Sequence, residues 1–399
     1  MSPLLLVSLA CVPSLAPVVE EPPEPEQVPG IDNPSAALFD QSRVHTVDIQ
    51  IPPEGITALW EHPWDYTPGA AVIDGVAFDE VGVRLKGAWG SFRELNDKSN
   101  FKLDLNRYSD QTYLGLEQLT LNNMVVDCSY LRESLAYEAI ARVGLAETRT
   151  SYVWVTVNGE DYGLYLILET PDDVWLDRNY ADSSGNLYDG KYIFTEDWAF
   201  VSHIDFSPGY DDYFQLEEGV DVGLADVRSI TNLLQVARRA PGGFEALGER
   251  IDWDQVLRAW AAEQWVGQID GYWLNANNYR VYFNPESERM EMLLWDMDYA
   301  FNNASRWNGG WSSPAGVLVE FCLEDSACTA ALRDHAAAVA DALEGPGLTE
   351  HLEAMVAVIT PYAEVDPRAC SARRFESGVI DMRDWLESRS RATRAYWEL

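Results

Sequence analysis

The stretch Asp270-Gly-Tyr-Trp-Leu-Asn-Ala-Asn-Asn-Tyr279, followed by Leu294-Trp-Asp-Met-Asp298, decides how this chain is read. Carboxylates and amides sit there among aromatic and aliphatic residues, where bare charge is costly unless it meets a cation or a proton partner. An acid, an amide a few residues on, and a second acid after another strand match the division of labour in phosphoryl transfer. The first acid accepts or orients a hydroxyl proton, while the amide and the second acid hold the metal on a nucleotide's phosphates. Asp270 is the candidate for the first acid, Asn275 or Asn278 for the amide, and Asp296, with Asp298 close by, for the second acid. Asn275 competes with Asn278 for the amide role; Asn278 is favoured because it leads straight into the Tyr279 to Phe283 strand.

Working outward, the flanking pattern changes character along the chain. His45 to Gln50, Val81 to Lys86 and Phe101 to Leu105 alternate like strands. Ser129 to Val143 carries Leu131, Leu135, Ile140 and Val143 at helical spacing, with Gly144 as the stop. Ser151 to Val157 and Tyr162 to Glu169 flank Asn158-Gly159, the dipeptide best suited to the left-handed dihedrals of a tight hairpin. The stretch 171–225 is acidic, aromatic and loop-like, and helices are predicted over Asp226 to Arg239 and Trp253 to Gly267. A second hairpin is predicted over Asn278 to Trp295, turning at Pro285 to Glu288, and the pattern is almost wholly helical from Asp325. Asp296 and Asp298 alternate with Trp295 and Met297, which on a strand puts both acids on one face; a divalent cation offsets their repulsion.

That order predicts an α+β, two-lobed fold of protein-kinase type, with a small sheet-rich N-lobe over 36–170 and a larger, mainly helical C-lobe over 171–399. Among 28 basic residues only Lys86, Lys98, Lys102 and Lys191 are lysines, and a compact ammonium suits phosphate oxygens. Lys98 or Lys102 is therefore expected on the nucleotide phosphates, paired with Glu138 of the helix. Glu169, at the end of the hairpin, is a candidate contact for the adenine ribose.

Composition narrows the partners. The net charge of -37 weighs against sequence-independent binding to nucleic acid or to an anionic membrane, both of which need basic surface. Leu4 to Ala10 is a short apolar run ending at Cys11 and reads as an export signal, with Cys11 as a lipobox cysteine. Ser8 and the missing basic residues at the start depart from the usual lipoprotein pattern. Any membrane contact is expected through a lipid on Cys11 alone. Residues 12–35 are rich in Pro and Glu and read as a disordered tether. Cys322 and Cys328 are close enough for a local disulfide; Cys128 and Cys370 remain, with no pairing specified.

These segments resemble the CotH family of atypical secreted and spore-coat protein kinases. The likeness rests on Arg84-Leu-Lys-Gly-Ala-Trp89, Lys98-Ser-Asn-Phe-Lys-Leu103, Leu119-Thr-Leu-Asn-Asn123, Asp127 with Leu131 to Glu138, and Val157 to Glu169. Asp270-Gly-Tyr to Asn278-Tyr279 and Trp295-Asp-Met-Asp298 with Phe301 complete it. The resemblance spans roughly 40 to 390 and implies ATP with Mg2+ or Mn2+ and transfer of phosphate to Ser or Thr hydroxyls of a protein substrate, including autophosphorylation. It implies Asp270 as catalytic acid, Asn278, Asp296 and Asp298 at the metal, and Lys98 and Lys102 at the phosphates. The chain departs from it at Lys86-Gly-Ala-Trp89-Gly-Ser91, where the family often carries more polar residues, and at Asn302, where glycine is common. It implies an exported location, in the cell envelope or outside the cell. Two other classes stay open on the sequence: an inactive relative that assembles a coat, and a carbohydrate- or calcium-binding module built on the acidic, aromatic stretch Asp205 to Glu218.

Overall fold

A computed structural model describes residues 33–88, 90–194, 200–303, 310–368 and 370–399. The export segment, Cys11, nearly all of the tether and Trp89 lie outside the described residues. Seven strands close into a barrel: β1 (Val44–Gln50), β2 (Thr67–Ile73), β3 (Val76–Lys86), β4 (Asn100–Asp104), β5 (Gln118–Asn122), β6 (Thr150–Val157) and β7 (Glu160–Leu168). The order is β1-β2-β3-β4-β5-β7-β6. Every neighbour pairs antiparallel except β1 and β6, whose parallel register closes the ring. Helix α1 (Pro53–Glu61) bridges β1 and β2, and α2 (Arg132–Arg142) lies between β5 and β6.

Alternation along these strands fills the barrel with Val83, Leu85, Phe101, Leu103, Leu119 and Leu121. It leaves Arg84, Lys86, Asn100, Lys102, Thr120 and Asn122 on the outer face of β3 to β5. At the β6–β7 turn Asn158 (φ 51°) and Gly159 (φ 81°) take the left-handed conformation that a two-residue hairpin demands.

Beyond β7 the chain enters α3 (Asp173–Asn179), which Asp172 caps by accepting from the Trp175 amide at 3.1 Å. The stretch expected to be loop-like also holds β8 (Asn186–Gly190), β9 (Tyr192–Phe194), β10 (Phe200–His203) and β11 (Gln215–Glu218). β8 is an interior strand of a four-stranded sheet, ordered β11-β8-β12-β13 with β12 (Tyr279–Asn284) and β13 (Arg289–Leu294). β8 to β11 are three to five residues long, too short for alternation to register.

The helices α4 (Ala225–Ala237), α5 (Gly243–Leu247), α6 (Trp253–Val266), α7 (Tyr272–Asn275), α8 (Val317–Glu324), α9 (Ser326–Ala342), α10 (Gly347–Ala363) and α11 (Ala372–Trp397) build the remainder. One apolar core joins the outer face of β6 and β7 and helix α2 to α6, α9, α10 and α11, so the sheet-rich and helical halves share a core. No described helix is long and apolar enough to cross a membrane. Cys322 and Cys328 pair as expected, and Cys128 pairs with Cys370.

Candidate active site

Helix α6 starts under Asp252, whose carboxylate accepts from the Gln255 amide at 3.1 Å, and stops at Gly267 in the left-handed conformation. The chain then turns so that the buried Gln268 stitches both acidic segments together. Its Nε2 donates to the Asp296 carbonyl at 2.7 Å, and its Oε1 accepts from the Asp270 amide at 3.2 Å. Glu263 supports the same turn by accepting from the Trp273 amide at 2.9 Å.

Asp270 is the most heavily supported carboxylate of this region. Oδ1 accepts from Tyr192 Oη at 2.9 Å and from Asn275 Nδ2; Oδ2 accepts from Asn278 Nδ2 at 3.1 Å and Asn277 Nδ2 at 3.3 Å. Burial pushes its carboxyl above the ordinary range and the Asp296 charge adds to that, while the amide and phenol donors pull against it. A fixed, partly desolvated acid of this kind is suited to take a proton from a hydroxyl.

The second acid segment departs from expectation. β13 ends at Leu294, so Asp296 and Asp298 do not alternate along a strand. Asp296 takes a left-handed conformation (φ 50°) and Met297–Tyr299 form a 3₁₀ turn. The Trp295 amide donates to the Asn278 carbonyl at 3.1 Å, which sets Asn278 beside the Asp296 turn. Asn275 lies instead at the end of α7, against Tyr192.

A fourth acid joins them that the sequence reading passed over. Glu133 of α2 is buried; its Oε2 accepts from Asn122 Nδ2 at 2.6 Å and its Oε1 has no partner among the described residues. Burial, then the Asp296 charge, pushes Glu133 up to about 8. Asp296 is raised mainly by burial. Asp298 goes well above the carboxylate range through burial and the charges of Asp296, Glu133 and Asp270. Lys86 is the cation whose charge favours the ionised form of Glu133, Asp296 and Asp298.

Glu138, chosen from the sequence as the helix acid, is not part of this cluster. It is half-buried and binds Arg142 Nε at 2.6 Å one turn on, an ordinary surface pair. Its i,i+4 partner was visible in the sequence and points to Glu133 as the helix acid in need of another explanation.

The two candidate lysines separate sharply. Lys98 does not pair with Glu138 and does not face the acids: it is enclosed at 1% exposure, with Nζ 2.6 Å from Asp366 Oδ2 and over the rings of Tyr130 and Tyr165. Lys102 lies opposite Arg84 across the β3–β4 pair, on the outer face that also carries Asn122. Burial lowers it to about 8, helped by the charges of Arg84 and Arg280, and it has no hydrogen-bond or ion-pair partner among the described residues. Glu169 is not available to a ribose. Arg149 Nη2 at 2.5 Å and Arg178 Nη2 at 2.5 Å grip its two oxygens, and the buried carboxylate welds the end of β7 to α3. Asp205 is likewise spent internally, accepting from Tyr272 Oη and the Val317 amide at 2.9 Å and the Phe206 amide at 2.8 Å. Of the acids in 205–218, Asp205 is therefore committed to the fold.

The loop after β3 completes the enclosure. Gly87 and Gly90 have φ of 96° and 94°, and a Cβ on Gly90 would fall 2.6 Å from Tyr299 Oη, next to Asp298. Asn123 Nδ2 at 3.0 Å and Asn100 Nδ2 at 3.2 Å hold its Ser91 carbonyl. Asp296, Asp298 and Asn278 form an oxygen-only set suited to Mg2+ or Mn2+. The buried Glu133 oxygen without a partner among the described residues, beside the raised acids, has the chemistry that a divalent cation would satisfy. Among the described residues no three His, Cys, Asp or Glu side chains stand together as a ready metal cage. Mg2+ commonly takes one or two carboxylates and leaves the remaining positions to phosphate and water.

A barrel-containing lobe, a helical lobe, and acids and amides gathered where they meet define an α+β, kinase-like protein. The chain belongs to the CotH kinase protein family, whose model matches residues 83–393. It is 23% identical over 266 residues to the inner spore coat protein H of Bacillus subtilis (strain 168), covering 65% of this chain and 70% of that protein. A solved complex of the Shewanella oneidensis MR-1 toxin–antitoxin proteins HipA and HipB with operator DNA aligns with 88% of this chain and 74% of its own. That alignment has 12% identity and a TM-score of 0.35, a likeness too loose to carry an argument.

Proposed function

We propose that this protein transfers the γ-phosphoryl group of ATP to Ser or Thr hydroxyls of a protein, itself included, as an exported component of a coat or cell envelope. The observation that carries the reading is Asp270, held by three amides and a phenol beside the Asp296 turn. Bound ATP with Mg2+ or Mn2+ supplies the transferable group and spreads its charge. Asp270 orients the acceptor hydroxyl and takes its proton. Asn278 uses its Nδ2 to hold Asp270, which leaves its amide oxygen for the cation alongside Asp296 and Asp298. Lys102, unpaired on the barrel face, meets the phosphates, and Lys86 balances the acids. Membership of the CotH kinase family supports this reading, and the coat relative supports the location.

A second reading has one support: a relative that is itself a coat protein fits an inactive assembly component. Incubation of the full-length protein with γ-labelled ATP and Mn2+, beside Asp296→Asn, separates the two. Label on the wild type alone is expected. No label on either protein, with no nucleotide-dependent rise in Tm, overturns the transferase reading.

A further inference from the structure

The segment joining α10 to α11 is threaded back onto the barrel lobe. The enclosed Asp366 carboxylate accepts from Lys98 Nζ at 2.6 Å, the Leu164 amide at 2.9 Å and Tyr130 Oη at 3.4 Å. It is seated so closely that a Cβ on Gly163 (φ 100°) would fall 2.1 Å from Asp366 Oδ1. Arg368 donates to the Asn96 carbonyl at 3.0 Å and the Asp97 carbonyl at 2.9 Å, and lies over the Tyr162 ring at 3.7 Å.

The end of that segment and the first turns of α11 grip the approach to α2, residue by residue. Cys128 is bonded to Cys370, with Cα atoms 5.4 Å apart. A Cβ on Gly378 would fall 2.9 Å from the Ser129 amide nitrogen. The Tyr130 ring packs on Phe375 with centroids 6.1 Å apart. Just before them Asp127 caps the turn into α2, accepting from the Ser129 amide at 2.8 Å and the Arg132 amide at 2.9 Å. The next residue after Arg132 is Glu133, whose carboxylate joins the Asp296 cluster. A path of direct contacts therefore runs from Cys370 to the candidate site.

We infer that oxidation of Cys128 and Cys370 completes the site: the disulfide form holds α2 where Glu133 meets Asp296, and the dithiol form does not. This rests on the transferase reading of that site. In forming the bond each thiol gives up one proton and one electron. A disulfide oxidant, small-molecule or protein, takes both electrons and both protons and leaves as two thiols. Both cysteines are half-buried, within reach of such an oxidant. Activity is thereby tied to an oxidising compartment. The Cys322–Cys328 pair closes only the α8–α9 joint, in the core cluster on the other side of α6, and serves as the control.

Amide hydrogen exchange over 128–142 tests this on the full-length protein in three forms: oxidised wild type, Cys128→Ser/Cys370→Ser, and Cys322→Ser/Cys328→Ser. Alongside it, ATP with Mn2+ is titrated against each by Tm. Faster exchange at the start of α2 and a loss of nucleotide affinity on the order of tenfold are expected for the first variant alone. Unchanged exchange in that variant, or an equal loss in the control variant, overturns the inference. Should the variant not fold, the Cys322→Ser/Cys328→Ser protein, which keeps Cys128–Cys370, is reduced by a dithiol below its Tm and then reoxidised with glutathione disulfide, so that only the bond in question changes. An oxidised wild type blind to ATP defeats the transferase reading, while α2 exchange still decides the role of the disulfide.

Discussion

Lys98 and Lys102 lie four residues apart and were equivalent on the sequence, yet the structure gives them opposite tasks, and replacing each by Met separates them. Lys98 and Asp366 form an ion pair with side-chain exposures of 1% and 0%. Removing one partner strands a buried carboxylate, at a cost of about 3–5 kcal/mol. For a chain of 399 residues that is a fall in Tm of roughly 4–6 °C. Lys102 has no such partner, and burial already lowers its ammonium to about 8. Its replacement removes a strained charge, so Tm should hold or rise slightly. Losing a charge-assisted contact to phosphate costs about 1.5–3 kcal/mol, a weakening of ATP affinity by about tenfold to a hundredfold. Scanning fluorimetry gives Tm, and calorimetric titration with ATP and Mn2+ gives affinity. The reasoning is refuted if Lys98→Met keeps the wild-type Tm and loses ATP, or if Lys102→Met binds ATP as the wild type does.

Asp270→Asn should lower phosphoryl transfer by about 10²–10⁴ while the ATP-dependent Tm rise survives; a variant that transfers at the wild-type rate would remove Asp270 from the chemistry. Glu263 is buried, and its pKa of about 8 in the folded protein stands above that of an ordinary glutamate. The folded state therefore binds the extra proton, so this contribution to stability is complete below about pH 4.5 and is lost as pH rises towards 8. Glu263→Gln should flatten the decline in stability between pH 5 and 8 by at most about 1.4 kcal/mol per pH unit; parallel curves for variant and wild type would show that Glu263 does not titrate there.

What the sequence revealed was local. Asn158-Gly159, the stripe through Leu131, Leu135 and Ile140, and the stop at Gly144 each act within a few residues, and the corresponding elements formed as expected. The acid–amide–acid order was legible for the same reason, because Gln268 and Asn278 tie adjacent segments. The misreadings came from distance or from competition. Asp366 is 268 residues from Lys98, and no pattern near Lys98 announces it. Glu133 and Glu138 are both acids of one short helix, and burial, which separates them, is set by Asn122 and the turn at Met297. Asp296 leaves the strand because the chain reverses hand there, against the preference of a non-glycine residue.

The parallel seam between β1 and β6 also bears on how the chain comes together in time. β1 is finished by Gln50, but its closing neighbour begins at Thr150, and β7, which joins β6 to β5, ends only at Leu168. Until then β1 and β5 each present an unsatisfied row of amides and carbonyls, the kind of edge that recruits strands from other chains. A ribosome supplying 5–20 residues per second leaves that edge open for on the order of ten seconds. A chain kept extended until its synthesis is complete never exposes a half-built barrel, so delayed folding protects this topology.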